Sequence, residues 1–199
     1  MLFRSLADRG HKVKALAIFG KSIEGVEVIN YTIQKQNTPN IHPLTLEFET
    51  KVTRGEAAMY AMLNIKKSGF IPDLIIAHPG WGESLFAKDV FPNATLINYI
   101  EFYYDLNSDI SFDPEFKPDD LTARIKVRIK NANNLINLDA MDGAISPTVW
   151  QKSTVPKLYQ EKVKVIFDGV NTSLLTPLSR PELKIKIADE KSAKTFSTF

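Results

Sequence analysis

The residues whose types and spacing best suit chemistry lie in one short segment, from His78 to Glu83. It combines a histidine, an indole and a carboxylate with two glycines: His78, Trp81, Glu83, Gly80 and Gly82. Glycine lets the backbone approach a ligand closely, and free N–H groups at a helix start attract anions such as phosphate. One interpretation is a sugar or phosphate subsite with Trp81 as a stacking surface. The alternative is a tight strand-to-helix turn in which Trp81 is an ordinary packed aromatic residue.

A second candidate group surrounds Glu101, within the aromatic run from Tyr99 to Tyr104. Glu101 follows a predicted strand, so its carboxylate should share a rim of the sheet with His78. There it could hydrogen-bond sugar hydroxyls or act as a base, and Tyr103 would belong to the same binding surface. The alternative is an exposed glutamate beside aromatic residues that complete the core.

Two further strand ends carry polar turns, at Ser146 and at Asp168–Gly169. In open α/β sheets, ligands bind beyond the carboxyl ends of the strands. We therefore expect these turns on the same rim as His78 and Glu101. Several polar turns on one rim indicate a binding surface more strongly than any single turn.

Two charged clusters are weaker candidates. Phe112–Phe116 contains two acids around a proline, which could bind a cation or form an ordered loop over the site. Arg124 and Arg128 are four residues apart and share a helix face, where they could meet an anion or remain a solvated basic face.

The elements that must position these residues alternate between strand and helix. Short apolar runs that end in polar turns predict strands, and apolar residues at helical spacing predict helices. The predicted helices are 2–10, 45–68, 84–90, 118–141 and 148–160, and the predicted strands are 13–19, 26–33, 74–77, 95–102, 143–146 and 163–167. This alternation predicts an α/β fold with a parallel sheet and helices on both faces.

Composition limits the class of protein. The chain has 199 residues, an apolar content of 44% and a net charge of +2, which is ordinary for a globular domain and gives no field that favours nucleic acid. It has no cysteine, and its histidines lack the spacing of a zinc site, so no metal centre is expected. Phosphate-binding glycine loops of the nucleotide-binding folds are also missing. With no signal peptide or apolar span, a cytoplasmic protein is expected.

Several motifs, in this order, make the chain resemble the amino-terminal domain of the glycosyltransferase family 4 group. The resemblance runs from about residue 2 to residue 172. The motifs that carry it are Leu6–Val13, His42–Pro43, Phe48–Glu49, Arg54–Gly55, Asp73–Glu83, Lys88–Pro92, Glu101–Tyr104, Phe112–Phe116, Ser146–Thr148, Trp150–Gln151 and Asp168–Thr172.

The resemblance implies one half of a GT-B architecture, in which two Rossmann-like domains face each other across a cleft. The amino-terminal domain mainly receives the acceptor, a carbohydrate or glycolipid, and the other domain mainly holds the donor. Members of the family retain the anomeric configuration and usually need no metal. The resemblance thus implies no tightly bound cofactor, and a nucleotide-diphosphate sugar as co-substrate. His78 and Glu101 are the candidate catalytic residues, although the wider superfamily often carries a histidine where Glu101 stands.

The resemblance also predicts how the chain is organised. Residues 1–178 would form the Rossmann-like domain without its first strand, and residues 179–199 a tail or linker toward an absent nucleotide-sugar-binding domain. We therefore expect part of a retaining glycosyltransferase that is inactive as an isolated chain. Unpaired sheet edges favour a homodimer, and peripheral membrane contact is common in the family. The alternative is a non-catalytic carbohydrate- or nucleotide-binding module, or a remnant without function.

Overall fold

A computed structural model of the chain describes residues 2–105, 121–176, 182–184 and 195–197. The chain divides into two compact units, residues 1–167 and residues 168–199. The predicted acidic cluster at Phe112–Phe116 lies outside the described residues. The division between the predicted domain and its tail at residue 178 stays a prediction.

Strands and helices alternate along the first unit. Its strands are β1 (Val13–Ala17), β2 (Val26–Asn30), β3 (Leu74–Ala77), β4 (Thr95–Tyr99), β5 (Gly143–Ser146) and β6 (Val163–Val165). Its helices are α1 (Leu2–Asp8), α2 (Leu46–Lys67), α3 (Ala87–Val90), α4 (Leu121–Lys130), α5 (Ala132–Ala140), α6 (Val149–Thr154) and α7 (Lys157–Gln160), with a short 3₁₀ helix at Pro79–Trp81. Within the described ranges, no helix combines the length and the apolar character that crossing a bilayer requires.

All described strand pairs of the first unit are parallel. β1 pairs with β2, and a second sheet contains β3, β4, β5 and β6 in that order. Parallel neighbours need long crossover connections, which the helices supply. The predicted α/β class with parallel strands is confirmed, with the strands divided between two sheets. In the second unit, β7 (Glu182–Lys184) and β8 (Thr195–Ser197) form an antiparallel pair.

Helix α2 lies at the centre of the first hydrophobic core. It matches the prediction closely, because acids occupy its first turn, lysines its last turn, and Gly69 follows with φ of +84°. Its Ala58 is fully buried and packs in the same core as Leu96 of β4. A second core forms around β5, β6 and the helices near them, with Leu138, Met141, Ala144, Val155 and Val163 buried in it.

Four buried asparagines lie in or directly before helix α5, and we call them the asparagine cluster: Asn131, Asn133, Asn134 and Asn137. Their amides bind the loops that follow the strands. Asn133 donates from Nδ2 to the carbonyl of Pro79 at 2.7 Å. Asn131 accepts from the backbone N–H of Tyr104 at 3.0 Å and donates to its carbonyl at 2.6 Å. The cluster therefore fixes the loop after β3 and the loop after β4 to one helix.

Asn137 joins the same cluster to β4 and to the turn before α3. Its Oδ1 accepts from the hydroxyl of Ser84 at 2.5 Å, and its Nδ2 donates to the carbonyl of Asn133 at 2.8 Å. Its backbone carbonyl accepts from Nδ2 of Asn98 at 3.0 Å. Side chains alternate along a strand, so Asn98 lies on the same face of β4 as the core residue Leu96.

Two long helices predicted from the sequence are interrupted in the structure. The predicted helix 118–141 is broken at Asn131, whose N–H bonds to Arg128 three residues back and whose side chain binds Tyr104. The predicted helix 148–160 is broken at Pro156, which lacks an N–H group and holds Val155 in an extended conformation. In addition, β4 ends at Tyr99, and the helix predicted at 84–90 begins only at Ala87.

We predict that Asn137→Leu, which keeps the branched shape of the side chain but replaces the amide with methyl groups, lowers the free energy of unfolding by about 1–3 kcal/mol. The reason is that the hydroxyl of Ser84 and Oδ1 of Asn133 lose a buried partner. Urea denaturation measures the change. Asn64→Leu, at an exposed position on α2, is the matched control and should change stability by less than about 0.5 kcal/mol. Equal effects of the two variants would contradict a supporting role of the cluster.

Candidate functional site

The parallel pairing of β3 and β4 brings two polar strand ends together. Ala77 of β3 is in register with Asn98 of β4, so His78 and Glu101 follow the same edge of the sheet. Nε2 of His78 lies 3.1 Å from Oε2 of Glu101. The structure therefore places the two candidate catalytic residues in direct contact.

The hydrogen bonds of His78 decide which of its nitrogens carries the proton. Nδ1 accepts from the backbone N–H of Gly80 at 3.2 Å, so the proton of the neutral ring is on Nε2 and points at Glu101. Gly80 permits this arrangement, because a Cβ at that position would come within 2.9 Å of Cε1 of His78. Both ring nitrogens are thus occupied, and His78 holds one oxygen of the Glu101 carboxylate.

Glu101 is the more accessible member of the pair. Its side chain is 57% exposed, whereas that of His78 is 35% exposed. Oε2 faces His78, and in the described part of the chain Oε1 has no hydrogen-bond partner. A carboxylate that is held at one oxygen can accept a hydrogen bond from a ligand hydroxyl at the other oxygen. Within the described ranges, no three His, Cys, Asp or Glu side chains cluster as a metal site would require.

A pocket of about 140 Å³ opens beside this pair. Five of the predicted site residues line it: His78, Gly80, Trp81, Glu101 and Tyr103. Lys51 of α2 and Asn98 of β4 also line it. Complete ligand pockets usually measure roughly 300–1,000 Å³, so this pocket can enclose only part of a ligand.

Trp81 stands between this pocket and helix α2. Its side chain is half-exposed, as a stacking surface would need to be. The ammonium of Lys51 lies 4.8 Å from the centre of the indole ring, and the guanidinium of Arg54 lies 5.3 Å from it. These cation–π contacts hold the ring in place without burying it.

Glu83, which was predicted to bind substrate, is occupied by protein partners. Arg54 donates to its Oε1 from Nη2 and from Nε, the latter at 3.1 Å, and the hydroxyl of Tyr31 donates to the same oxygen at 3.0 Å. Burial, and next the charge of Glu83, raise the pKa of Tyr31 well above its usual value. Glu83 therefore ties the loop after β3 to α2 and β2, and it does not line the pocket.

Gly82 lets the same loop lie against α2. Its φ is +100°, and a Cβ there would overlap the carbonyl oxygen of Lys51. On the other side of the contact, a Cβ at Gly55 would come within 2.7 Å of the carbonyl oxygen of Gly82. The two glycines thus allow a close backbone approach that sets the position of Trp81.

The remaining predicted site residues lie away from the pocket or in the second unit. Ser146 is fully buried, and its hydroxyl donates to the carbonyl of Ile100 at 3.0 Å, so it holds β5 to the end of β4. Asp168 and Gly169 belong to the second unit, where Gly169 adopts a φ of +78°. Arg124 and Arg128 are exposed on α4 and do not line the pocket.

Sequence reasoning missed Asn98, Lys51 and the asparagine cluster. The signal was present, because four asparagines fall between residues 131 and 137 of a helix that packs on a sheet. Asn98 is fully buried, yet in the described part of the chain its Oδ1 has no hydrogen-bond partner. A buried acceptor without a donor is costly, so a ligand hydroxyl that reached Asn98 through the pocket would be stabilised there.

Comparison with known proteins agrees with the motifs. The family model described as glycosyl transferase family 4 group matches residues 9–175, which includes both strand-end loops and the asparagine cluster. No curated protein is significantly similar to the chain.

We predict that Gly82→Ala destabilises the protein by about 1–3 kcal/mol more than Gly69→Ala, because only Gly82 abuts a backbone carbonyl. Gly69 is the matched control: its φ of +84° resembles that of Gly82, but nothing lies near its missing side chain. Thermal unfolding of both variants measures the difference. If the two variants lost the same stability, the left-handed backbone alone would explain the effect, and the close approach to α2 would be contradicted.

Proposed function

Because the chain belongs to the glycosyl transferase family 4 group, we propose that it forms the acceptor side of a retaining glycosyltransferase. In this proposal the pocket beside Glu101 receives the acceptor, a carbohydrate or a glycolipid, and the donor is a nucleotide-diphosphate sugar. The observation that carries it is the carboxylate of Glu101, which His78 holds at one oxygen and which is open at the other.

In the proposed transfer, the acceptor oxygen bonds to the anomeric carbon of the donor sugar, and the bond from that carbon to the diphosphate breaks. The acceptor hydroxyl gives its proton to the carboxylate of Glu101 in the same process. Glu101 accepts a hydrogen bond from that hydroxyl, which orients its oxygen and eases the loss of the proton. His78 is a positioning residue, since both of its nitrogens already have partners.

The neighbours of Glu101 suit the binding of a sugar. Trp81 offers a half-exposed indole face, and Tyr103 lines the pocket from the loop after β4. Aromatic faces pack against the apolar side of a sugar ring, while carboxylate and amide oxygens accept bonds from its hydroxyls. The volume of about 140 Å³ suits part of a ligand, in keeping with an acceptor that extends beyond this pocket.

The charge that develops on the leaving diphosphate needs electrostatic stabilisation, which the family resemblance assigns to a second domain. We therefore propose that the 199-residue chain binds acceptors but does not turn over donors by itself, with no metal and no tightly bound cofactor. Release of the nucleotide diphosphate from a mixture of this chain, a nucleotide sugar and an acceptor would contradict the proposal that the chain does not turn over donors by itself.

We predict that Glu101→Gln weakens the binding of neutral saccharides about tenfold, because a charged acceptor forms stronger hydrogen bonds than a neutral amide. The fluorescence of Trp81 reports binding when Trp150→Phe removes the other tryptophan. Glu161→Gln, an exposed position beyond α7, is the matched control and should bind saccharides unchanged.

Two results would contradict the proposed function. If all neutral saccharides left the fluorescence of Trp81 unchanged, the pocket would not be a carbohydrate site. If Glu101→Gln and Glu161→Gln bound saccharides equally well, Glu101 would not belong to the acceptor site.

A further inference from the structure

A second pocket of about 140 Å³ lies between the start of α2 and the end of α4. Three lysines line it: Lys51, Lys126 and Lys130. Apolar side chains of Phe48 and Ile129 form part of its wall, and Glu47 is the one carboxylate among its lining residues.

The positive charge of this pocket is poorly compensated. None of the three ammonium groups forms an ion pair with a residue in the described ranges, so their charge is offset at longer range, by Glu47 in the pocket wall and, for Lys51, also by Glu83. The pocket also adjoins the first turn of the 22-residue helix α2, whose dipole adds positive potential. Apolar walls reduce the screening of these charges by water.

Lys51 connects this pocket to the one beside Glu101, because it lines both. It is partly buried, and that burial lowers its pKa, while Glu47 acts in the opposite direction. Lys130 makes a second connection, since its ammonium lies 3.9 Å from the ring centre of Tyr104, which lines the first pocket. A ligand that spans both pockets therefore passes Lys51.

We propose that the second pocket binds the phosphate group of a phosphorylated acceptor whose sugar hydroxyl reaches Glu101. Three ammonium groups and one carboxylate leave an excess of two positive charges, which matches a phosphate monoester with its charge of about −1.5 to −2. A carboxylate ligand would neutralise only part of this excess. Lysine is a common phosphate ligand that acts as a point charge.

The phosphate subsite depends on the proposed function in one respect only, namely that its ligand is the acceptor of the transfer. Phosphate binding by the three lysines can be tested without any sugar. A simpler role for these lysines is to extend over Phe48 and Ile129 with their ammonium groups in water. That role predicts no preference for phosphate, so binding measurements separate the two.

The test uses the full chain and isothermal titration calorimetry with inorganic phosphate, glucose, glucose 6-phosphate and glucuronate. We expect glucose 6-phosphate to bind at least about tenfold more tightly than glucose, and more tightly than glucuronate. Its affinity should fall as salt is raised. Lys126→Gln should weaken glucose 6-phosphate about tenfold and leave glucose unchanged, and Lys130→Gln should also weaken glucose 6-phosphate about tenfold.

Lys67→Gln is the matched control, because Lys67 is an exposed lysine at the far end of α2 and lines neither pocket. It should bind every ligand as the unaltered chain does. Vesicles of phosphatidylcholine with and without phosphatidic acid distinguish a lipid phosphate from a soluble one. Co-sedimentation that depends on phosphatidic acid and on Lys126 would assign the phosphate to a glycolipid or phospholipid acceptor.

The outcomes separate this proposal from the proposed function. Equal affinity for glucose and glucose 6-phosphate, with no binding of inorganic phosphate, would overturn the phosphate subsite and leave the acceptor pocket standing. Binding of inorganic phosphate that Lys126→Gln weakens and Glu101→Gln does not would support the subsite, even if no neutral sugar bound. Equal loss of phosphate binding in Lys67→Gln and Lys126→Gln would overturn it as a non-specific charge effect.

Discussion

The arrangement of the candidate site depends on buried side-chain amides of one helix. Asn133 binds the loop that carries His78 and Trp81, and Asn131 binds the loop that follows Glu101. Asn137 joins the same helix to β4 through Asn98. Buried amides keep their partners because an unpaired one is costly, so the two loops cannot separate without loss of several such bonds.

The sequence predicted the parts of this arrangement that follow from local pattern. The bounds of β3, β5 and α2 agree with periodicity and with turn residues, because each is a strongly patterned run. Parallel strands that end at one edge then predicted that His78 and Glu101 share a rim, and the structure adds their direct contact. The family also follows from the motifs, and the matched range of 9–175 is close to the predicted one.

Other features of the fold and the site depend on tertiary contacts, which the local periodicity of the sequence does not reveal. Helical spacing continues through Asn131, and only its bonds to Tyr104 explain why the helix breaks there. A glutamate at a strand end suggests a ligand, but Arg54 and Tyr31 reach Glu83 from distant parts of the chain. The polar turn at Ser146 is likewise used by the neighbouring strand. The predicted site differs from the observed one because polar groups such as Glu83 and Ser146 bind partners that are distant in sequence.

We propose that the acceptor binds in the pocket between the loops after β3 and β4, and NMR mapping of backbone amides tests this most directly. The measurement follows amide chemical shifts while a neutral saccharide that binds is titrated into the chain. The largest shifts are expected at residues 78–82 and 98–104, which contain the lining loops and the end of β4. Shifts concentrated elsewhere in the first unit, with these two segments unchanged, would contradict it.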